Sequence, residues 1–461
     1  MRGFPKRPMA VLLLLPGLAV FIALVRAEAA PLPSPLWGPN VVANTDRSGF
    51  AQQEPSLAIH PLNPQNLVVA AKDFRRTQDM TREVWIYVSF DSGQSWPIQI
   101  PFPGLPPTIT RQSDPVALAT EDGRFYVLAL GAGTPAYRHH GLFLTWSDDG
   151  GRTWQDAVTV ISDPSTILDD KPWLARDNRP RSPFYGRLYV AWRPMHADVL
   201  WIVRSQDGGL SWSPPVTATA GEGVQGAMPV VGADGAVHLF YVEPLSPTAP
   251  GEIRVVTSFD GGRSFSAPRT VASVLQPPSP VRPYDQWRLY ALPSAAADPV
   301  DANRLYVVWT GLSPQESLGT EVVFARSEDG GRTWSVSIPF AASGDAVHPI
   351  VRTDARGWVH VFWLDRRRDP RNRLFDAFYA YSPDGGRTWS PPFRVSNRSF
   401  DLNVQVPPIS PAPGDYWGLD VGPNRICAAW SDTRFGDEDI IVTCGILPLA
   451  SRLLFPLVPL W

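Results

Sequence analysis

The sequence predicts an all-β chain folded as a single β-propeller. Three observations carry that reading. One eight-residue pattern, Ser-x-Asp-x-Gly-x-Ser/Thr-Trp/Phe, occurs six times. Its copies start at Ser89, Ser147, Ser205, Ser258, Ser327 and Ser382, so the spacings are 58, 58, 53, 69 and 55 residues. Between the copies lie short runs that are apolar on both faces, as in sheets stacked face to face. Small four-stranded sheets repeated radially make a propeller. Composition agrees. With 50 Pro, 36 Gly, 18 Trp and 18% charged residues, the chain suits short strands and tight turns better than long helices. An apolar content of 44% supplies a packed core and excludes disorder. Two cysteines exclude a disulfide-dense scaffold.

The elements follow in order. Residues 1–29 read as a secretory signal peptide. Arg2, Lys6 and Arg7 are followed by an apolar run from Ala10 to Val25, with a small-x-small cleavage site near Ala29. The expected location is therefore secreted or cell envelope. The run holds Pro16 and falls short of the roughly 20 residues that span a bilayer. No membrane span is expected in the mature chain. Cleavage leaves 37 basic against 43 acidic residues, a balance that offers nothing to nucleic acid. Residues 30–446 form the propeller. LYVAW (188–192) and VHLFY (237–241) read as second strands, and VLWIV (199–203) and IRVVT (253–257) as third strands. First strands begin near Glu54, Asp114, Lys171, Met228, Leu292 and His348, and a seventh near Asp415-Tyr416. The seventh unit has no Asp motif of its own. Residues 40–50 resemble 393–402, which follow the sixth motif, so an N-terminal strand is expected to close the ring. Seven blades are predicted, with six as the alternative. Residues 447–461 form an apolar tail without an assigned role.

The octapeptide has the physics of a turn. Its Asp accepts backbone hydrogen bonds within its own loop, its Gly supplies positive φ, and its ring packs between sheets. Asp91, Asp149, Asp207, Asp260, Asp329 and Asp384 are therefore read as structural. The motif is the Asp-box, or BNR repeat. Over roughly residues 40–446 the chain resembles the Asp-box propellers, whose best-known enzymes are the sialidases.

That resemblance implies where a site would be. The Asp-boxes mark one face, and the loops of the opposite face surround the central channel. Those loops hold Glu54, Asp114, Asp169-Asp170-Lys171, His348 and Asp415-Tyr416 at first-strand starts. They also hold Tyr284-Asp285, Asp73-Phe74-Arg75-Arg76, Arg193 with His196, Glu243, Asp365-Arg366-Arg367-Arg368 and Asp432-Thr433-Arg434. The triplet Asp-x-Arg recurs at Asp73, Asp365 and Asp432. It reads either as a structural ion pair or as part of an anion-recognising ring. The chain has 38 Arg and three Lys, one of them Lys171.

Sialidases use three arginines on the substrate carboxylate, a tyrosine nucleophile assisted by a glutamate, and an aspartic acid. Carried over, Tyr416 takes the nucleophile's place, Glu243 its partner's, and Asp114 or Asp170 the acid's. Arg193, Arg366 and Arg434 are the substitute triad, with Arg75 and Lys171 as further substrate contacts. The family's first arginine lies in an Arg-Ile-Pro segment, and here that strand reads Glu54-Pro55-Ser56. The reading is a sialidase-like, exo-acting glycoside hydrolase on an extracellular glycan or glycoprotein. A non-catalytic glycan- or protein-binding propeller is the alternative. No cofactor or metal is implied, since HExxH, P-loop and GxSxG motifs are missing from the sequence. Cys427 and Cys444 fall on neighbouring strands of the last unit, and a disulfide is expected between them.

Overall fold

The computed structural model describes residues 32–448 apart from 47, 77–81, 134–139, 164–168, 247–248, 279, 284, 286, 313–318 and 405–412. The signal peptide, Tyr284, His139 and the tail beyond Pro448 lie outside the described residues.

Seven antiparallel sheets make the ring. The first strands are Gln52–Ile59, Arg111–Ala119, Asp169–Arg176, Gln225–Val231, Ser294–Ala297, Ala346–Thr353 and Gly418–Val421. Each contacts the next around the axis, and Gly418–Val421 returns to Gln52–Ile59. Six sheets have four strands in sequence order. In the seventh, Asp439–Ile446 pairs with an outer strand from the N-terminus, in two pieces, Leu36–Trp37 and Val41–Val42. The expected closure by residues 40–50 is met by Val41–Val42, and Leu36–Trp37 extends it. The second strands show why the ring stacks. Leu67–Asp73 and Val359–Asp365 are buried at every position, so both faces of each blade are core.

The Asp-box turns repeat one hydrogen-bond pattern. In the second copy Asp149 Oδ1 accepts from Ser147 Oγ at 2.8 Å and from the Thr153 amide at 2.9 Å. Its Oδ2 accepts from Thr153 Oγ1 at 2.6 Å. The first box has Ser92 where the others have Gly, and Ser92 accepts the left-handed backbone at φ 67°. The box aromatic packs on the preceding blade: Trp389 meets Phe324 at 5.0 Å between ring centroids, and Trp334 meets Phe240 at 5.7 Å. These contacts pin adjacent blades together at the outer rim. Cys427 and Cys444 are cross-strand partners joined by a disulfide.

Candidate functional site at the channel mouth

Five of the seven first strands bend where they leave the mouth. Their pairing with the second strand slips between Gln53 and Ser56, Ser113 and Val116, Asp170 and Trp173, Gln225 and Met228, and Val347 and Ile350. Such a bulge re-aims the residue it contains. That residue is Glu54, Asp114, Lys171, Gly226 or His348. All five have positive φ, at 56°, 53°, 51°, 75° and 49°. Four are not glycine, so the ring holds an uncommon backbone state at four equivalent places. Backbone strain of this sort clusters at functional sites. Pro follows each of the four.

The strained residues meet at the axis. Glu54 is buried and pairs with Lys72 at 3.2 Å. Asp114 accepts from Ser113 Oγ at 2.5 Å and from the Lys171 amide at 3.2 Å. Asp170 accepts from Gln225 Nε2 at 2.8 Å. Asp415 is gripped by Arg288 through two hydrogen bonds, at 2.8 and 3.3 Å. The His348 amide donates to Thr310 Oγ1 at 3.0 Å, and its ring meets Trp417 edge-on at 5.3 Å. Tyr416 reaches from the seventh blade to the second, where its hydroxyl donates to the Pro115 carbonyl at 2.9 Å. Lys171 Nζ lies 3.8 Å from the centre of the Tyr416 ring, buried and without a hydrogen-bond partner among the described residues.

Beside Tyr416 opens a small cavity. Trp173, Tyr290 and Tyr416 supply aromatic wall, and Lys171, His348 and Asp415 supply polar groups. Apolar walls with a few convergent polar groups are the usual make-up of a ligand pocket. Glu54, Asp114 and Asp170 flank this cavity without lining it.

The charges are not in their ordinary states. Burial raises the Glu54 carboxyl, against the pull of Lys72, and the nearby Asp114 and Asp415 raise it further. Burial also acts upward on Asp415, but Lys171 and Arg288 outweigh it and hold that carboxyl below its usual range. Asp170 is raised by burial, with Asp415 adding to the effect. Burial lowers His348 to about 4, so the ring is neutral at neutral pH. Burial pushes the Tyr416 phenol well above its usual value. Among the described residues no three His, Cys, Asp or Glu group together as a metal site. No helix among the described residues is long and apolar enough to cross a membrane.

The structure brings together Asp114, Asp170, Lys171 and Tyr416 from the sequence candidates. It places the others elsewhere. Glu243 pairs with Arg254 at 2.8 Å and is not on the cavity wall. Arg193 pairs with Asp198 at 3.2 Å. Arg75 and Arg434 are each turned back onto the aspartate two residues earlier, Asp73 and Asp432, at 2.6 Å. Arg366 is fully buried between Asp285 and Asp345, at 2.6 and 3.1 Å. The Asp-x-Arg triplets share one geometry. The aspartate accepts from the amide and the guanidinium of the arginine, and from a tyrosine or tryptophan of the same blade. Tyr87 serves Asp73, Trp363 serves Asp365 and Trp430 serves Asp432. This is the ion-pair reading of the triplet.

Arg288 and Lys72 were not singled out from sequence. Lys72 carried a signal: it is one of three lysines in the chain, and Lys171 is another. Arg288 stands outside the repeat and carried none.

The BNR repeat-like domain family matches residues 186–406. No curated protein matches the chain. Among solved structures, a protein of unknown function from Dyadobacter fermentans is 13% identical with a TM-score of 0.51, over 90% of this chain and 100% of that one. That likeness is one of fold. The intramolecular trans-sialidase of Ruminococcus gnavus is 13% identical with a TM-score of 0.47, over 70% of this chain and 91% of its own. An α-L-arabinanase of Penicillium chrysogenum is 11% identical with a TM-score of 0.47, over 89% and 99%.

Proposed function

We propose that this seven-bladed propeller, whose residues 186–406 match the BNR repeat-like domain family, is a secreted glycoside hydrolase acting on extracellular glycans. One observation carries the reading: Glu54 and Asp415 interact at the closure of the ring and are driven in opposite directions, Glu54 up and Asp415 down. Two carboxyl groups with their proton affinities pushed apart suit a general acid and an ionised partner. Asp415 is on the cavity wall and acts as base or nucleophile. Glu54, whose carboxyl is raised by burial, is the group assigned to donate a proton toward the departing sugar oxygen. Asp114 and Asp170 are the neighbouring carboxyl groups, acting on Glu54 and Asp415 through space. Lys171 meets an anionic group of the sugar, and Trp173 and Tyr416 give its ring an apolar face. Exo action fits a cavity walled by five blades.

A second reading rests on a different observation. Glu54 does not line the cavity, and the Tyr416 hydroxyl is bonded to Pro115. A pocket so arranged would bind a glycan without cutting it. The test is release of 4-methylumbelliferone from a panel of its α-sialoside, α-arabinofuranoside and β-hexosides. Turnover by the wild type, lost in both Glu54→Gln and Asp415→Asn while thermal stability holds, supports hydrolysis. Saturable binding of the same sugars without turnover at any pH from 4 to 8 establishes the binding reading instead.

A further inference from the structure

The channel has a second half. Below Trp173 and Met228, which line both spaces, a cavity of about 250 Å³ runs toward the Asp-box face and is lined by first strands of all seven blades. Each first strand is the inner edge of its sheet, paired on one side only, so unpaired backbone groups face this space. Its far end differs in character from the mouth. The side chains lining it include Arg176, Arg179 and Arg352, and one carboxylate, Asp420.

These arginines divide by partner. Arg176 is paired with Glu121. Arg179 and Arg352 make no ion pair within 4 Å among the described residues, unlike the mouth arginines above. Arg352 Nη1 donates to the Val351 carbonyl at 2.9 Å. Arg179 Nη2 reaches the Val231 carbonyl only at 3.5 Å, and its buried Nε has no hydrogen-bond partner among the described residues. A guanidinium has five N–H donors, so both side chains keep unused ones. The acidic neighbours are already engaged. Asp420 accepts the Ile59 and Val421 amides at 2.8 and 2.9 Å. Asp177 accepts the Arg179 amide and Ser182 Oγ, and Asp298 accepts the Val300 and Asp301 amides. Two underpaired guanidinium groups in a partly enclosed space are a costly arrangement unless an anion offsets it.

We propose that the Asp-box half of the channel is a binding site for a small oxyanion, held by Arg179 and Arg352. The shared chemistry is a planar or tetrahedral group with two or more anionic oxygens, matched by the guanidinium fork. A carboxylate and a phosphate both present it. The site is separate from the mouth and stands whether or not the mouth cuts sugars.

Isothermal titration calorimetry of the full chain, at constant ionic strength set with chloride, tests this. Inorganic phosphate is one titrant and citrate the other. The expected result is saturable binding of at least one. Phosphate alone assigns a phosphate site, and citrate alone a carboxylate site. Arg352→Gln and Arg179→Gln each weaken that binding at least tenfold. Arg332→Gln, at an exposed Asp-box position outside the channel, leaves it unchanged. Should one channel variant fail to fold, the other and the milder Arg352→Lys carry the comparison. Absence of saturable heat with both titrants, or equal affinity in the channel variants and the Arg332 control, overturns the proposal.

Discussion

Lys171 and Tyr416 form a single unit across the axis: the ammonium sits 3.8 Å from the ring centre, while the phenol is anchored to Pro115. The geometry gives the tyrosine a positioning role and leaves the lysine nitrogen available. Tyr416→Phe keeps the ring and loses one buried hydrogen bond, so it should cost about 1 kcal/mol of stability. Glycoside turnover should stay within about tenfold of wild type. Lys171→Met should weaken sugar binding by about tenfold or more and, by leaving buried Asp415 to Arg288 alone, should also lower the melting temperature. A thousandfold loss of kcat in Tyr416→Phe would show instead that the hydroxyl does the chemistry.

The opposed carboxyls set a pH profile. Activity needs Asp415 ionised and Glu54 protonated. The acid limb is then governed by Asp415, below the ordinary carboxylate range, and the alkaline limb by Glu54, above it. The kcat/KM curve should be a bell broader than a pair of unperturbed carboxylates would give. Glu54→Gln should lower activity about 100- to 10,000-fold and remove the alkaline limb from what remains. A residual curve that keeps its alkaline limb would remove Glu54 from the acid's role.

Arg366 is fully buried with both of its carboxylate partners. Arg366→Met leaves Asp285 and Asp345 without it, although Arg282 still holds Asp345 at 2.9 Å. Breaking a buried pair by removing one partner costs about 3–5 kcal/mol. The variant should melt well below the wild type, and the fraction that folds should bind sugars normally. A normal melting temperature with weakened binding would return Arg366 to the substrate.

Glu438 is buried beside the ring closure and accepts from Gln53 Nε2 at 2.6 Å. Burial raises its carboxyl to about 8. The folded state therefore holds this proton over a range where the unfolded chain releases it. Stability from this group is present below the ordinary carboxylate range and is lost as pH rises toward 8. Glu438→Gln should match the wild type at pH 4 and exceed it by a few kcal/mol, about 4 at most, at pH 8. Denaturant midpoints at the two pH values give the comparison, and a constant difference between them would place the proton elsewhere.

How much of this was legible in the sequence depends on range. The ring was readable because its markers are local. An Asp-box is eight consecutive residues whose turn chemistry needs no distant partner. The mouth residues Glu54, Asp114, Lys171 and His348 were readable as strand starts because each precedes a proline. What they touch was not readable. Arg366 and Arg367 are adjacent, yet Arg367 caps its own strand at Asp365 while Arg366 crosses to Asp285, 81 residues away. Nothing in the triplet says which arginine turns back. Arg288 meets Asp415 across 127 residues and belongs to no repeat. Alternation along a strand gives direction, and charge partners are chosen by neighbouring blades.

The closure of the ring has a consequence for how the protein comes into being. The outer strand of the last blade lies near the start of the chain, and its partner, Asp439–Ile446, is among the last residues described. Asp415 and Glu54 stand on either side of that same seam. A chain still emerging from its ribosome or its translocation pore can stack six blades, but it has no partner for its first strand and no Asp415 beside Glu54. The pocket therefore forms only once the segments carrying Asp415 and Asp439–Ile446 are available to meet Glu54 and the N-terminal outer strand.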